Sequence, residues 1–218
     1  MDVGRPDGDS SSPSADRIVQ IRIHGAAGEV AQVDLSDGSS FSLPTQAVQS
    51  EGLAADQALS PSRREELELL GETFAARRKA LDLLALREQS KARLSLKLRS
   101  RGFGGEAIRI ALDDLERSGA LDDLRFAELW ISARARRNPC GRMKLYAGLL
   151  GQGLGRSAAE EALRGWSEDD EQSALRRAAN QLTSRSGATP ERVLRSLVSK
   201  GFSYGAAKRA LEAHEDEL

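Results

Sequence analysis

The sequence has little of what most enzymes, metal sites and membrane proteins need. Its 218 residues include one cysteine, Cys140, which excludes an intrachain disulfide. The two histidines, His24 and His214, lie too far apart in the sequence to suggest a zinc site. No segment approaches the roughly 20 apolar residues that a membrane-spanning helix needs, and the N-terminus lacks the apolar core of a signal peptide. We therefore expect a cytoplasmic protein with no membrane contact, no metal and no cofactor.

Aromatic residues are also scarce, at 4 % of the sequence, while charged residues make up 30 %. A core built mainly from Leu, Ala, Ile and Val is typical of small amphipathic helical modules. The formal net charge of -1 excludes a simple polybasic DNA coat, although it leaves room for local basic patches. No nucleophile, metal set or cofactor cradle can be assembled from these residues, which argues against an enzyme.

The N-terminal quarter is the only part with strand signals. Residues 1–16 are rich in Asp, Gly, Ser and Pro and are predicted to be a disordered tail. Three β-branched or alternating runs follow, at 18–23, 30–35 and 40–43, and the Asp37-Gly38 turn joins the last two. These runs predict a small three-stranded β-meander.

Helical patterns begin at Ser60-Pro61, where an N-cap serine precedes a proline in the first helical turn. Apolar residues then recur at helical spacing from 63 to 87. Gly71 interrupts this stretch, and the sequence leaves open whether it forms one helix or two.

The strongest signal is an internal repeat. Three stretches share the pattern Gly-(Phe or Leu)-x-x-x-Ala-x-x-x-Ala-Leu, starting at Gly102, Gly153 and Gly201. Each glycine is expected to end a helix in the left-handed conformation, and a second helix follows it. Upstream, a matching pair of apolar residues and a matching N-cap position precede each glycine. These positions are Leu94 and Leu98 with Ser90, Leu145 and Leu149 with Gly141, and Val193 and Leu197 with Thr189.

A further helix ahead of each pair completes a three-helix unit, and three such units follow one another. The predicted fold is therefore mainly α, with three tandem three-helix modules in an elongated array after the N-terminal meander. We expect a tail (1–16), a meander with a short helix (17–59), a linker helix with the first module (60–120), a second module (121–168) and a third (169–218).

A short motif between the first two modules carries a family resemblance. Leu121, Asp122, Asp123, Arg125, Phe126 and Ala127 form the pattern Leu-Asp-Asp-x-Arg-Phe-Ala. Together with the repeat, this pattern resembles the signature of the RecX family, over about residues 60 to 218. The resemblance implies a non-enzymatic, monomeric regulator that binds the RecA–single-stranded DNA filament in its helical groove. It implies inhibition of the recombinase, ATPase and co-protease activities of that filament, hence a role in DNA repair, homologous recombination and the SOS response, with weak binding to naked DNA.

The residues of the motif have a structural interpretation. Asp122 and Asp123 stand just before a predicted helix, where carboxylates cap the helix and complement its dipole, and this is favoured over metal or acid–base chemistry. Arg125 is expected to form a local ion pair. Phe126 and Trp130, one turn apart, are expected to lie in the core.

Basic residues are concentrated between 87 and 144, where 14 Lys and Arg stand against 8 Asp and Glu. Solvated helix faces explain many such runs, but few acids interrupt the cluster from Arg134 to Lys144, and contact with DNA phosphate or an acidic protein surface is equally favoured. The predicted partner- or DNA-binding residues are Arg87, Lys97, Arg99, Arg101, Arg134, Arg136, Arg137, Arg142 and Lys144.

Two functions remain open on the residues alone. A filament regulator needs several modules to grip an extended partner. An autonomous DNA-binding protein is the alternative, because a three-helix unit with a glycine turn is similar to a helix-turn-helix. The second helices carry few polar residues that could read bases, which favours the regulator.

Overall fold

The computed structural model describes residues 16–26, 28–184 and 186–215, and the predicted tail at 1–16 lies almost entirely outside this range. Within it, the chain forms a small sheet followed by helices. The strands are β1 (Asp16–His24), β2 (Val30–Leu35), β3 (Ser40–Pro44) and β4 (Ala58–Leu59). The helices are α1 (Thr45–Ser50), α2 (Pro61–Leu86), α3 (Lys91–Arg99), α4 (Gly105–Arg117), α5 (Asp123–Arg137), α6 (Arg142–Gly151), α7 (Arg156–Ala162), α8 (Glu168–Thr183), α9 (Pro190–Ser199) and α10 (Tyr204–Glu215), with a 3-10 turn at Leu163–Gly165.

The mainly helical fold with an N-terminal sheet confirms the prediction. The described residues divide into two compact units, the first running up to Lys79 and including Gly102–Ala111, the second formed by Ala80–Arg101 and Leu112 onward. From α2 onward the helices follow one another in three sets of three, which we call the first (α2–α4), second (α5–α7) and third (α8–α10) modules. The predicted domain boundaries stay predictions.

The sheet is antiparallel with the order β3-β2-β1-β4, so it has one strand more than the sequence predicts. The additional strand β4 has two residues, too short for an alternating pattern to reveal it. Its Leu59 is buried beside Ile18, Val33 and Leu43, which form the core of the sheet with Leu67 of helix α2. Burial against this helix stabilises a sheet that would be too small to fold alone.

Helix α2 passes through Gly71 without a break, which answers the question left open by the sequence. A Cβ atom at Gly71 would overlap the carbonyl oxygen of Ser42 in strand β3. The glycine therefore permits the helix to approach the sheet backbone closely and does not end it.

The three middle helices, α3, α6 and α9, confirm the repeat in detail. They begin at Ser90, Gly141 and Thr189 as N-caps, and α9 has a proline, Pro190, at its first position. The glycines after their ends, Gly102, Gly153 and Gly201, have φ angles of 90°, 88° and 91°. The apolar pairs of all three helices are at most 4 % exposed.

The glycine turns also satisfy carbonyl groups that a helix end leaves unpaired. After α6, the Leu154 and Gly153 amides donate to the carbonyls of Leu149 (3.3 Å) and Leu150 (2.9 Å). After α9, the amides of Phe202 and Gly201 do the same to Leu197 and Val198. This is the Schellman arrangement, and it brings buried Leu154 and Phe202 back onto the last helical turn.

Successive middle helices meet end to end in the second compact unit. At the first junction, between α3 and α6, the Ser90 hydroxyl donates to the carbonyl of Gln152 at 2.6 Å. At the second junction, between α6 and α9, the backbone amide of Gly141 donates to the carbonyl of Lys200 at 3.0 Å. In the repeat alignment Ser90 corresponds to Gly141 and Gln152 to Lys200, so one geometry of contact between modules occurs twice.

Candidate partner-binding surface

The Leu-Asp-Asp-x-Arg-Phe-Ala segment begins helix α5 and couples it to α3. Asp122 is the N-cap and accepts hydrogen bonds from the amides of Leu124 and Arg125, both at 2.9 Å. The neighbouring Asp123 accepts from the amide of Lys91, the first residue of α3, at 2.8 Å. Burial raises the pKa of Asp123, an effect that the hydrogen bond from Lys91 partly offsets. The pair of carboxylates therefore caps two helix N-termini.

The remaining residues of this motif also stabilise the fold. Arg125 Nε donates to Glu88 at 2.7 Å, and this contact raises the pKa of the Arg125 guanidinium. Leu121, Phe126 and Ala127 are buried, and Phe126 and Ala127 belong to the core of the second module. The local ion pair and the core position of Phe126 agree with the sequence prediction.

Two open clefts lie among helices α3, α5 and α6 in the second compact unit, and we call them together the α3–α5 groove. Arg93 and Gln152 line both clefts. Four cationic side chains line it, against one acid, Glu88, which is paired with Arg125. The cationic residues are Arg87, Arg93, Lys97 and Arg137.

Positive charge accumulates around Lys97 without a carboxylate to balance it in the described part of the groove. Burial lowers the pKa of Lys97, and the charges of Arg87, Arg101 and Arg93 lower it further. Its ammonium group donates to the amide oxygen of Gln89, a neutral acceptor. A nearby anion would relieve this repulsion, so the site favours a negatively charged partner.

Apolar side chains lie between these charges. Leu96 is 66 % exposed and Leu129 is 54 % exposed, and both line the groove. Trp130 is half-buried: it packs on the core of the second module and against Gly148, and it also lines the groove. Trp130 is thus only partly the core residue that the sequence predicts. The exposed leucines beside arginines offer apolar contacts as well as charge to a partner.

The structure brings some of the predicted basic residues to this groove and places others elsewhere. Arg87, Lys97 and Arg137 line it, and Arg101 donates to the Lys97 carbonyl at 2.8 Å. Arg99 and Lys144 are exposed but are not among its lining residues. Arg142 donates to the carbonyls of Leu163 (2.7 Å) and Trp166 (3.3 Å), which commits its guanidinium to the end of the 3-10 turn.

Two predicted residues belong to other surroundings. Arg134 is half-buried and hydrogen-bonds Cys140, whose thiol pKa is raised by burial. Arg136 lines a cleft between α5 and α8, where its carbonyl accepts from Arg177 at 2.9 Å. Glu128 and Asp170 balance the two arginines of that cleft, so it is not a basic surface.

Sequence reasoning missed Arg93, Leu96 and Leu129. A signal for Arg93 was present, because Arg93 and Lys97 are four residues apart in one predicted helix and share one helix face. No sequence signal marked Leu96 and Leu129, because an exposed leucine can have the same helical spacing as a buried one.

Comparison with known proteins identifies the relatives of this chain. Residues 76–115 match the family model of the first three-helix domain of RecX, and residues 122–163 match that of the second. The regulatory protein RecX of Pelodictyon phaeoclathratiforme is 36 % identical over 137 residues, which cover 61 % of this chain and 84 % of that protein. The chain belongs to the RecX family. The RecX protein of Ectopseudomonas mendocina is 32 % identical over 152 residues, 68 % of this chain and all of that protein.

Solved structures of RecX proteins share the fold. One crystal structure of a regulatory protein RecX superimposes with a TM-score of 0.73 at 18 % identity, covering 90 % of this chain and 99 % of that one. The RecX structure from Lactobacillus salivarius gives a TM-score of 0.59 at 20 % identity, covering 65 % and 96 %. None of the helices in the described residues is long and apolar enough to cross a membrane.

Proposed function

We propose that this RecX-family protein regulates the RecA recombinase by binding the RecA–single-stranded DNA filament and inhibiting or destabilising it. The observation that carries the proposal is the α3–α5 groove, with four cations around exposed Leu96 and Leu129. Membership of a family of regulatory proteins supports a role in regulation. The protein then acts by binding in the cytoplasm and needs no catalytic residue or cofactor.

The composition of the groove suits a partner that combines protein and nucleic acid. Neutralising phosphates with Lys and Arg releases counterions, so even a few contacts add affinity that decreases with salt. Four cations are too few to bind naked DNA tightly at physiological salt, whereas the leucines can add contacts with protein. We therefore expect strong binding to the filament and weak binding to free DNA, with the other modules adding avidity.

Charge reversal in the groove tests the proposal. We expect substoichiometric amounts of the protein to lower the ATPase activity of RecA on single-stranded DNA. The triple variant Arg87→Glu, Arg93→Glu and Lys97→Glu should need at least about tenfold more protein for the same inhibition, equivalent to ~1.4 kcal/mol of binding free energy. The measurement is a titration of RecA ATPase with each protein, with circular dichroism to verify folding.

A matched control reverses three other exposed cations, Arg117→Glu, Arg164→Glu and Lys208→Glu, whose side chains are 75 %, 73 % and 59 % exposed and each form a local ion pair. This control should inhibit like the unchanged protein. Equal losses in both triple variants would show that net charge matters and the groove does not. An unchanged RecA ATPase, together with salt-dependent binding to duplex DNA without RecA, would instead support the autonomous DNA-binding protein.

A further inference from the structure

Strand β1 has an edge that its own sheet leaves open. Strand β2 pairs with one edge of β1 from Ile18 to His24, with a bulge at Val19, which has no partner in β2. On the other edge, β4 pairs only at Asp16 and Arg17. The Ile18 amide and carbonyl add hydrogen bonds to Gln57 (2.9 Å) and Asp56 (2.8 Å). From residue 19 to 24, no strand in the described part of the chain pairs with this edge.

The open segment has the composition of a strand that pairs. It reads Val-Gln-Ile-Arg-Ile-His, and three of its residues are β-branched. Val19 is 59 % exposed and Ile23 is 61 % exposed, although Ile21 between them packs on the core of the sheet. An open strand edge with exposed apolar side chains is a template for another strand.

We propose that this edge pairs antiparallel with the same edge of a second copy, joining two four-stranded sheets into one. Only a two-fold arrangement uses the same surface on both copies and closes after two, leaving no new open edge. The proposal is independent of the proposed function, and it replaces the monomer expected from the sequence.

The residues of the open segment fix the register. A two-fold axis normal to the sheet places one residue directly opposite its own copy, because facing residues in a sheet share a face. Two such registers use nearly the whole open segment, one centred on Ile21 and the other on Arg22. The second places Val19 opposite Gly25, beyond the end of β1, and so leaves the exposed Val19 side chain without a partner. The first places Gln20 opposite Arg22.

Centring on Ile21 also covers the exposed apolar residues. Ile23 of each copy then lies at the bulged Val19 of the other, so both exposed side chains lose solvent contact together. The pairing stops at Ile18, because its backbone is already bonded to Gln57 and Asp56. The open segment is therefore self-complementary in length and apolar pattern.

Sedimentation of the full chain across a concentration series tests the association. The interface is short, so we expect a monomer–dimer equilibrium with dimer dominant by about 100 µM. The double variant Val19→Lys and Ile23→Lys should remain monomeric, since it changes only exposed side chains. The control Val198→Lys, at a 41 % exposed position on α9, should dimerise like the unchanged chain. A chain that stays monomeric throughout, or a Val19/Ile23 variant that dimerises normally, overturns the proposal.

Disulfide trapping tests the register. Ile21→Cys should form a dimer under mild oxidation, because residues opposite each other have Cβ atoms about 4.5–5.5 Å apart. Arg22→Cys alone should not, while a mixture of Gln20→Cys and Arg22→Cys chains should form a mixed disulfide. The mixed pair tests the register without changing Ile21, which is half-buried against the core of the sheet. The native Cys140 is 1 % exposed and should not interfere. Self-crosslinking of Arg22→Cys without the mixed product would overturn the register.

Discussion

The two junctions between middle helices make the same contact with different chemistry. At the first, a buried side chain, the Ser90 hydroxyl, reaches the carbonyl of Gln152, and Asp123 caps the first amide of α3. At the second, the Gly141 backbone itself bonds the Lys200 carbonyl, and Glu171 caps the first amide of α6 at 2.9 Å. Each cap comes from the first helix of the following module.

The difference shows which part of the repeat is constrained. A Cβ atom at Gly141 would overlap the carbonyl oxygen of Gly201, so the second junction brings two backbones together without space for a side chain. The first junction has that space and fills it with serine. Both junctions keep the end-to-end contact and a capping carboxylate from the following module. The residue at the N-cap differs between them, because the space between the two backbones differs.

Adding a side chain to the second junction should have the largest effect. We expect Gly141→Val to lower the free energy of unfolding by about 3 kcal/mol, because the added atoms force α6 and α9 apart. Urea unfolding followed by circular dichroism measures this change. The control is Gly155→Ala at the N-cap of α7, where a Cβ atom meets no neighbouring atom within 4 Å. Equal urea midpoints for Gly141→Val and the unchanged chain would mean that the second junction is not closely packed.

Removing the side chain from the first junction should have an intermediate effect. Ser90→Ala removes the N-cap of α3 and leaves the Gln152 carbonyl without its donor, for a loss of about 2 kcal/mol. Thr189→Ala removes only the corresponding cap of α9, where the hydroxyl accepts from Arg192 at 3.4 Å, and should cost about 1 kcal/mol. The difference between the two variants in urea unfolding isolates the contact between modules. Equal losses would assign all of the Ser90 contribution to capping.

The smallest effect concerns the charge of the carboxylate at the first junction. Burial raises the pKa of Asp123 above its ordinary value of 3.8, so the folded chain holds this proton more tightly than the unfolded chain. Asp123 therefore contributes stability at low pH, and this contribution is lost as pH rises from about 3.8 through the raised pKa. Asp123→Asn keeps an oxygen acceptor for the Lys91 amide and cannot ionise.

Unfolding free energies of the unchanged chain and Asp123→Asn, measured in urea at several pH values, check this prediction. The stability of the unchanged chain relative to the variant should fall as pH rises through this window. A relative stability that increases with pH would show that the hydrogen bond from Lys91 outweighs the burial of the charge.

Local features of the fold were predictable because they depend on neighbours in the sequence. The N-caps at Ser90 and Thr189 and the turns at Gly102, Gly153 and Gly201 follow from patterns within one helix. The contacts between modules join residues about 60 positions apart, such as Ser90 and Gln152, and no local pattern encodes them. Gly71 was visible as an interruption, but its reason, the approach of Ser42, is a tertiary contact.

The candidate surface was only half predictable for the same reason. A count of charges found the basic region but could not separate Arg142, which bonds two carbonyls of the fold, from Arg87 and Arg137, which line the groove. That distinction depends on where each side chain points once the helices have packed.

The proline at the start of α9 distinguishes this helix from α3 and α6, whose first amides are capped by a carboxylate of the following module. Lys91 and Arg142 occupy the first position of α3 and α6, and each offers an amide hydrogen to a carboxylate of the next module. Pro190 occupies that position in α9 and has no amide hydrogen to offer. The N-terminus of α9 therefore relies on the Thr189 hydroxyl, which accepts from the Arg192 amide, and not on a carboxylate at its first residue.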